Sequence, residues 1–219
     1  NKPSRQLTPG LLMPNAIPGR VCSEWTTDSV TGLPKTKRGC DAIQVYVERL
    51  GKLVHLAANK KTDGALEHAR LFARNVICLH GVPEAVISDR DPRFTAKFFD
   101  ECQRLVGTSL KMSTARHAQT DGQSEREIQT LIVALRAFCN EHQDDWDDYL
   151  DMLELGFNSA EQASTKHSPF EMIYGMRPRL PIDVALADFE PKNPAAIDRA
   201  ARMFQAVEAG RGYLLTAQE

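Results

Sequence analysis

The sequence contains no apolar run near the roughly 18 residues that a membrane-spanning helix requires, and no signal-peptide pattern. It also has no internal repeat and no low-complexity tract. Its 219 residues, of which 42% are hydrophobic, fit one domain with a sizeable core and some appendages. Because the sequence begins with Asn1 rather than Met, we expect it to be a fragment or a processed piece of a longer chain.

Cysteines with disulfide or metal-ligand spacing are also lacking. The five cysteines are scattered and odd in number, and none forms a C-x-x-C pair. The six histidines show no metal-ligand spacing with them. The pattern argues against a disulfide framework and a zinc knuckle, and it favours free thiols in a reducing compartment.

The sequence has no excess of positive charge. The net charge is −2 and the isoelectric point about 6.3, which gives no sign of nucleic-acid binding. The distribution of charge matters more than its sum, because acidic residues concentrate at 144–151 while basic residues cluster elsewhere. A solvated mixed surface is the commoner outcome for such clusters. The basic residues are Lys35, Lys37, Arg38, Lys60, Lys61, Arg90, Arg93, Lys97, Arg116 and Arg126.

Alternation and periodicity predict an α/β chain. Strands are predicted at 24–30, 41–50, 52–57, 85–88 and 110–113. Helices are predicted at 62–79, at 95–106 with Thr95 as the N-cap, across 125–139, at 146–157 and at 195–209. Leu79 and Leu105 are expected to face the core, and residues 164–183 to form an extension packed on it. The order predicts a mixed sheet with helices on its faces.

Three acidic residues stand at the edges of these elements. Asp28 lies in or near the first strand, Asp89 directly follows the fourth, and Glu125 precedes the apolar stripe of a helix. Thirty-five residues separate Asp89 from Glu125. Three convergent carboxylates can hold Mg²⁺, and two such ions about 3.5–4 Å apart support phosphoryl transfer on nucleic acid.

Each acid also has a simpler explanation. Asp28 fits a lone turn acid, Asp89 a turn residue with local hydrogen bonds, and Glu125 a first-turn helix acid favoured by the macrodipole. Taken singly, these explanations are the better ones. Taken jointly, with basic residues beside them, the three acids favour a site.

Two neighbouring acids compete for these positions. Asp91 competes with Asp89, but only Asp89 directly ends the apolar strand. Asp121 competes with Glu125, but Thr120 or Asp121 is better explained as a helix N-cap, with a capping box at 120–123. The interpretation therefore keeps Asp89 and Glu125.

Five separated motifs in this order resemble the integrase of gypsy-type LTR retrotransposons, which is related to retroviral integrases. They are D-S-V-T-G-L-P at 28–34, L-H-G-V-P at 79–83, S-D-R-D-P-R-F at 88–94, H-A-Q-T-D-G-Q-S-E-R at 117–126 and S-P-F-E-M-I-Y-G-M-R-P at 168–178. The resemblance covers roughly residues 1–185. It implies a ribonuclease H-like fold with a mixed five-stranded sheet flanked by helices. It also implies that Asp28, Asp89 and Glu125 are the catalytic triad and hold two Mg²⁺ or Mn²⁺ ions.

The resemblance further implies 3′-end processing and strand transfer of element DNA into target DNA. The implied partners are double-stranded DNA and further copies of the chain, with no membrane, in the nucleus after a cytoplasmic particle stage. The implied domains are a linker at 1–20 from a missing zinc module, the catalytic core at 21–185 and a helical tail at 186–219. Residues expected to contact DNA are Arg90, His117, Gln119, Gln123 and Arg126.

The chain departs from the family pattern at several positions. Ser29 and Val30 replace an apolar pair, Arg116 and Ala118 replace Tyr and Pro, and Glu48 stands where Asp is common. We expect weaker packing near the first strand and altered loop rigidity. These departures keep open an alternative, a decayed or domesticated remnant that binds DNA or protein. A ribonuclease H or a DNA transposase would share the metal chemistry, but the motifs at 88–94 and 117–126 argue against both.

Overall fold

A computed structural model describes residues 17–88, 92–107, 113–115, 133, 135 and 139–180 of the chain. The strands are β1 (Glu24–Thr31), β2 (Ala42–Glu48), β3 (Val54–Asn59), β4 (Ala85–Ser88) and β5 (Ser113–Ala115). The helices are α1 (Ala65–Phe72), α2 (Cys78–His80), α3 (Pro92–Val106), α4 (Leu150–Ser159) and α5 (Pro169–Tyr174). A π-turn, Ala73–Ile77, joins α1 to α2, and a 3₁₀ turn, Trp146–Asp148, precedes α4. Within these ranges no helix has the length and apolar character needed to cross a bilayer.

The five strands form one mixed sheet in the order β3-β2-β1-β4-β5. Short connections make β1, β2 and β3 antiparallel neighbours. Helical crossovers make β4 parallel to β1 and β5 parallel to β4, as parallel pairing requires. The predicted α/β fold with a mixed five-stranded sheet flanked by helices is confirmed.

Alternating side chains give the sheet two buried faces. The first face packs against α1 and α3, and its cluster includes Trp25, Tyr46, Phe72, Val86 and Phe98. The second face packs against α4, the 3₁₀ turn and Leu135, and its cluster includes Val30, Ile43, Val45, Trp146 and Leu150. Apolar helices therefore cover both faces of the sheet.

The helix predicted at 62–79 begins later and contains an irregularity. It starts at Ala65 and passes through the π-turn before ending at His80. The expectation that Leu79 faces the core is wrong, because its side chain is 60% exposed. A π-turn adds a residue to one helical turn, so later residues rotate away from the face that α-helical spacing predicts.

The predicted start of α3 is also wrong. The helix begins at Pro92, so Thr95 lies inside it rather than at its N-cap. Proline suits the first helical position, since its missing N–H has no helical partner there. Leu105, expected in the core, is 40% exposed. The last buried side chain of the helix is Cys102, so its final turn, which contains Leu105, no longer packs into the core.

Other predicted boundaries shift or fall outside the described residues. The helix predicted at 146–157 is split into the 3₁₀ turn and α4, and part of the predicted extension at 164–183 forms the buried helix α5. Of the helix predicted across 125–139, only positions 133 and 135 are described as helical. The linker at 1–20, the tail at 186–219 and its helix at 195–209 stay predictions.

Side chains of α4 pair with the outer edge of β3. Asn158 accepts a hydrogen bond from the Val54 N–H at 2.8 Å and donates one to the Val54 carbonyl, also at 2.8 Å. One turn earlier, Glu154 accepts a hydrogen bond from the Leu56 N–H at 2.8 Å. Edge strands expose main-chain groups that can template aggregation. Helix α4 therefore takes the place of a sixth strand.

The β2–β3 connection is built around the buried carboxylate of Glu48. Glu48 is 0% exposed and accepts hydrogen bonds from the Cys22 N–H, at 3.0 Å, and from the Gly51 N–H. Burial raises the pKa of Glu48, while these backbone donors act in the opposite direction. Burial, with Glu48 nearby, also raises the pKa of the Cys22 thiol to about 12. The departure from Asp at position 48 thus has a structural role here.

Gly51 allows α5 to approach this turn. A Cβ atom at Gly51 would lie 2.8 Å from Ile173 Cδ1 and 3.1 Å from Met172 Cβ. Gly51→Ala should therefore lower the free energy of unfolding by about 1–3 kcal/mol through overpacking, measured by urea denaturation. In α4, Gly156 has open space around its Cβ position. Gly156→Ala should stabilise the protein by about 0.5–1 kcal/mol, and equal effects at both positions would contradict the packing account.

Candidate active site

Asp28 lies inside β1 rather than in the turn that follows it. It pairs with Val45 of β2 and is half-buried. Its Oδ1 accepts a hydrogen bond from the Ser29 N–H at 2.6 Å. By strand alternation its side chain shares the second sheet face with Val30 and Val45. The explanation of Asp28 as a turn acid is therefore wrong.

The parallel pairing of β1 and β4 aligns the segment that contains Asp28 with the strand that Asp89 follows in the sequence. Thr27 pairs with Ser88, the last residue of β4. The next residue in each chain segment is an acid, Asp28 in β1 and Asp89 after β4. Asp89 itself lies outside the described residues.

The helix predicted to carry the third acid has one well-described contact with this sheet face. Leu135 is 4% exposed and belongs to the cluster that contains Val30 and Val45. Its carbonyl accepts a helical hydrogen bond from the Cys139 N–H at 3.1 Å. Glu125 precedes Leu135 by ten residues in the sequence.

Of the predicted site residues, the structure describes only Asp28. The convergence of the three acids and the predicted DNA contacts therefore stay predictions. Within the described part of the chain, no group of three or more His, Cys, Asp or Glu side chains could hold a metal ion. The predicted site residues outside that part are Asp89, Arg90, His117, Gln119, Gln123, Glu125 and Arg126.

Gln44 is a neighbour of Asp28 that the sequence analysis missed. This β2 side chain is 2% exposed, and its Nε2 donates to Thr27 Oγ1 at 2.6 Å and to the Asp28 carbonyl at 2.7 Å. Its Oε1 accepts from Ser29 Oγ at 2.6 Å. The polar pair formed by Ser29 and Gln44 offsets the weaker packing expected after Asp28. In the sequence, the one hint of this role is that Gln44 is a polar residue among the apolar residues of the predicted strand at 41–50.

A small cavity of about 10 Å³, room for about one water molecule, adjoins these residues on the first face of the sheet. Its lining is polar where Thr27 pairs with Ser88 and aromatic beneath α3. The lining includes Thr27, Gln44, His68, Ser88 and Phe98.

Two predicted basic residues are paired within the chain. Lys37 Nζ lies 3.6 Å from Asp144 Oδ1, and Arg38 contacts both Asp147, at 3.7 Å, and Asp148. Exposed pairs of this kind contribute little stability each. They neutralise part of the positive charge at 35–38. This agrees with the expectation that the basic clusters form part of a surface of mixed charge.

A cluster of titratable side chains, His55, His80 and Glu154, lies at the edge of β3. His55 Nδ1 lies 2.7 Å from Glu154 Oε1, and His55 Nε2 lies 2.8 Å from His80 Nε2. Trp25 stacks on His55 and lies tilted against His80, with ring centroids 5.7 and 5.3 Å apart respectively. Burial, and secondarily His55, lowers the pKa of His80 to about 4.

This shift predicts acid sensitivity. The ordinary pKa of 6.5 applies to His80 in the unfolded chain, which therefore binds more protons than the folded chain between pH 6.5 and 4. The free energy of unfolding should fall by about 1 kcal/mol from pH 7 to pH 5, a value reduced for partial exposure. His80→Asn should flatten this slope in urea denaturation, whereas the exposed His142→Asn should not. An unchanged slope in His80→Asn would contradict the assignment.

Comparisons with known proteins give relatives at the sequence level. No protein-family model matches the sequence. The transposon Tf2-3 and Tf2-4 polyproteins of Schizosaccharomyces pombe (strain 972 / ATCC 24843) are each 30% identical to it over 209 residues. The match covers 95% of this chain but 16% of each polyprotein. The chain thus corresponds to a small part of the curated relatives it matches.

Solved structures with the same fold are retroviral integrases. The magnesium complex of the HTLV-2 integrase catalytic core, in its trimeric form, gives a TM-score of 0.52 at 18% identity over 68% of this chain and 95% of that one. The BIV integrase core gives 0.50 at 21% identity over 68% and 92%. The simian T-cell lymphotropic virus intasome with the PP2A subunit B56 gamma gives 0.57 at 18% identity over 89% and 66%.

The sequence match and the structural match agree with each other and with the five motifs. The transposon polyproteins match nearly the whole chain, and the integrase cores share its fold. The chain is related in sequence to a segment of the Tf2 transposon polyproteins, and it has the fold of retroviral integrase catalytic cores.

Proposed function

We propose that this chain is the catalytic core of a metal-dependent polynucleotidyl transferase that processes the 3′ ends of element DNA and joins them to target DNA. The observation that carries the proposal is the register of β1 and β4. It pairs Thr27 with Ser88, so that an acid follows directly in both segments, Asp28 and Asp89. Neighbouring strands lie about 4.8 Å apart, within reach of two carboxylates that share a cation.

The donor set fits a hard divalent cation. Asp28 is half-buried at the sheet, and carboxylate oxygens are the ligands that Mg²⁺ and Mn²⁺ favour. We assign Asp28, Asp89 and Glu125 as the residues that would hold two such ions. When bound, these ions would neutralise charge on the attacking and leaving oxygens of a phosphodiester. The integrase core of HTLV-2, which shares this fold, is a magnesium complex.

The remaining residues of the proposed site would bind and orient DNA. Arg90 and Arg126 adjoin the acids in the sequence and would contact phosphates. His117, Gln119 and Gln123 would contact the DNA around the reacting bond. The partners would be double-stranded DNA and further copies of the chain, in the nucleus after a cytoplasmic particle stage.

A disintegration assay on branched DNA tests this proposal with the chain as it exists. The wild-type chain should convert the branched DNA to its products when Mg²⁺ or Mn²⁺ is present. The reaction should stop when a chelator removes the metal. Glu125→Gln should abolish the reaction and leave DNA binding intact, because an amide removes the ligand charge but little volume. An active Glu125→Gln variant would refute the assignment of that residue.

The same assay separates the alternative function. A wild-type chain that binds DNA but shows no divalent-dependent cleavage would favour a non-catalytic binding module. The near-neutral charge and the intramolecular pairing of Lys37 and Arg38 are the observations on its side.

A further inference from the structure

We propose that Gln44 is a positioning residue for the Asp28 carboxylate. The inference rests on the proposed function, in which Asp28 holds a divalent cation. Gln44 lies in the middle of β2, directly opposite Ser29 of β1, and is 2% exposed. Such a buried amide needs hydrogen-bond partners, and Gln44 finds three of them in one short segment of β1.

Gln44 holds the main chain and side chains on both sides of Asp28. Its Nε2 donates to Thr27 Oγ1 at 2.6 Å and to the Asp28 carbonyl at 2.7 Å. Its Oε1 accepts from Ser29 Oγ at 2.6 Å. One side chain therefore contacts three consecutive residues, with the proposed ligand in the centre.

A short chain of hydrogen bonds connects Gln44 to the carboxylate itself. Ser29 donates its hydroxyl to Gln44 Oε1 and its N–H to Asp28 Oδ1, the latter at 2.6 Å. A shift of Ser29 would therefore change the direction in which Asp28 Oδ1 points. Partners that orient a metal ligand in this way commonly affect metal affinity or activity about 10- to 100-fold.

Gln44 acts from the side of the sheet that Asp28 does not face. Asp28 shares the second face with Val45, whereas Gln44 shares the first face with Thr27 and Tyr46 by strand alternation. The amide can therefore fix the strand without occupying the side where a cation and DNA would bind. This geometry makes Gln44 a support for a ligand rather than a ligand.

Hydrogen bonds hold Gln44 in a tightly packed position. Its side chain is 2% exposed and borders a cavity of only about 10 Å³. An apolar residue of similar size would leave the strand segment at 27–29 freer to shift. Loss of activity is therefore expected even where the fold is retained.

The test compares Gln44→Leu with Thr26→Val by disintegration kinetics and thermal denaturation. Thr26 is a matched control because it is buried and its Oγ1 donates to the Val47 carbonyl across the same two strands, at 3.3 Å. Gln44→Leu should raise the Mg²⁺ concentration for half-maximal rate, lower the rate, or both, by about 10-fold or more. Its affinity for DNA should not change, and Thr26→Val should leave the Mg²⁺ dependence unchanged.

Gln44→Glu is a second variant of the same side chain. Its carboxylate can still accept from Ser29, but it cannot donate to Thr27 or to the Asp28 carbonyl. Gln44→Glu should therefore also raise the Mg²⁺ concentration needed for half-maximal rate, and an active variant with wild-type Mg²⁺ dependence would overturn the proposal.

Ser29→Ala keeps the proposal falsifiable if the Gln44 variants do not fold. It removes the hydroxyl that donates to Gln44 Oε1, and it should also raise the Mg²⁺ concentration needed for half-maximal rate. The role of Gln44 would be overturned if Ser29→Ala, or an active Gln44→Leu variant, had wild-type Mg²⁺ dependence. That result would leave the proposed function of the chain intact. A wild-type chain with no divalent-dependent activity would overturn the proposed function itself, and this inference with it.

Discussion

Asp28→Asn should lower divalent-dependent strand transfer and disintegration by about 10²- to 10³-fold or more, while the fold stays intact. The amide keeps an Oδ1 that can accept from the Ser29 N–H, so the hydrogen bond at 2.6 Å is retained. It loses the negative charge that a cation ligand needs. If other carboxylates lie close, losing this charge also relieves repulsion, so the melting temperature should stay the same or rise.

The measurement for Asp28→Asn is a single-turnover disintegration rate with saturating DNA, together with thermal denaturation. Glu24→Gln is the matched control, because it makes the same kind of change near the start of β1, where Glu24 pairs with Arg49. That variant should keep its metal-dependent activity. Wild-type rates in Asp28→Asn, or equal losses in both variants, would contradict a ligand role for Asp28.

Asn158→Leu should lower the free energy of unfolding by about 3–5 kcal/mol, measured by urea denaturation. Asn158 is 2% exposed and satisfies both main-chain groups of Val54 at 2.8 Å. Leucine has a similar volume but leaves that buried N–H and carbonyl without the amide. Asn158→Asp should be at least as damaging, because it loses the donor and adds a charge near Glu154.

The control for this prediction is Asn140→Ala. Asn140 is exposed, and its side chain donates to Asp144 at 2.8 Å. Its substitution should change stability by no more than about 0.5 kcal/mol. A loss of less than about 1 kcal/mol in Asn158→Leu would show that α4 does not replace a strand at the β3 edge. Aggregation of the variant would be a further consequence of an opened edge.

The sequence predicted four of the five strands well because alternation is a local signal. The fifth, predicted at 110–113, overlaps β5 only at Ser113, and residues 110–112 lie outside the described part of the chain. The strands predicted at 24–30 and 85–88 match β1 and β4 to within one residue, and those at 41–50 and 52–57 match β2 and β3 to within two residues. Short connections made antiparallel pairing of the first three strands predictable. The position of β4 beside β1 follows from the family resemblance and not from periodicity.

The errors have identifiable physical causes. Leu79 was expected in the core because a periodicity of 3.6 residues does not register a π-turn such as Ala73–Ile77. The start of α3 was misplaced because Thr95 is a good N-cap in isolation, whereas Pro92 already begins the helix. Local propensity could not decide between them.

The polar contacts that matter most join residues far apart in the sequence. Asn158 and Val54 are 104 residues apart, and an asparagine in a short helix reads as a surface residue. Gln44 likewise looks like a polar interruption of an apolar strand. Its role becomes visible only when the pairing of β1 and β2 places it opposite Ser29. Such contacts depend on tertiary structure and could not be inferred from composition or spacing.

Asp28, Asp89 and Glu125 are proposed to hold two metal ions, and anomalous diffraction from crystals of this chain soaked with Mn²⁺ would locate those ions. Two peaks are expected about 3.5–4 Å apart, one of them about 2.1 Å from an Asp28 carboxylate oxygen. Carboxylates of Asp89 and Glu125 should complete the coordination. Manganese bound elsewhere, or an Asp28 carboxylate directed away from both ions, would contradict the proposed site.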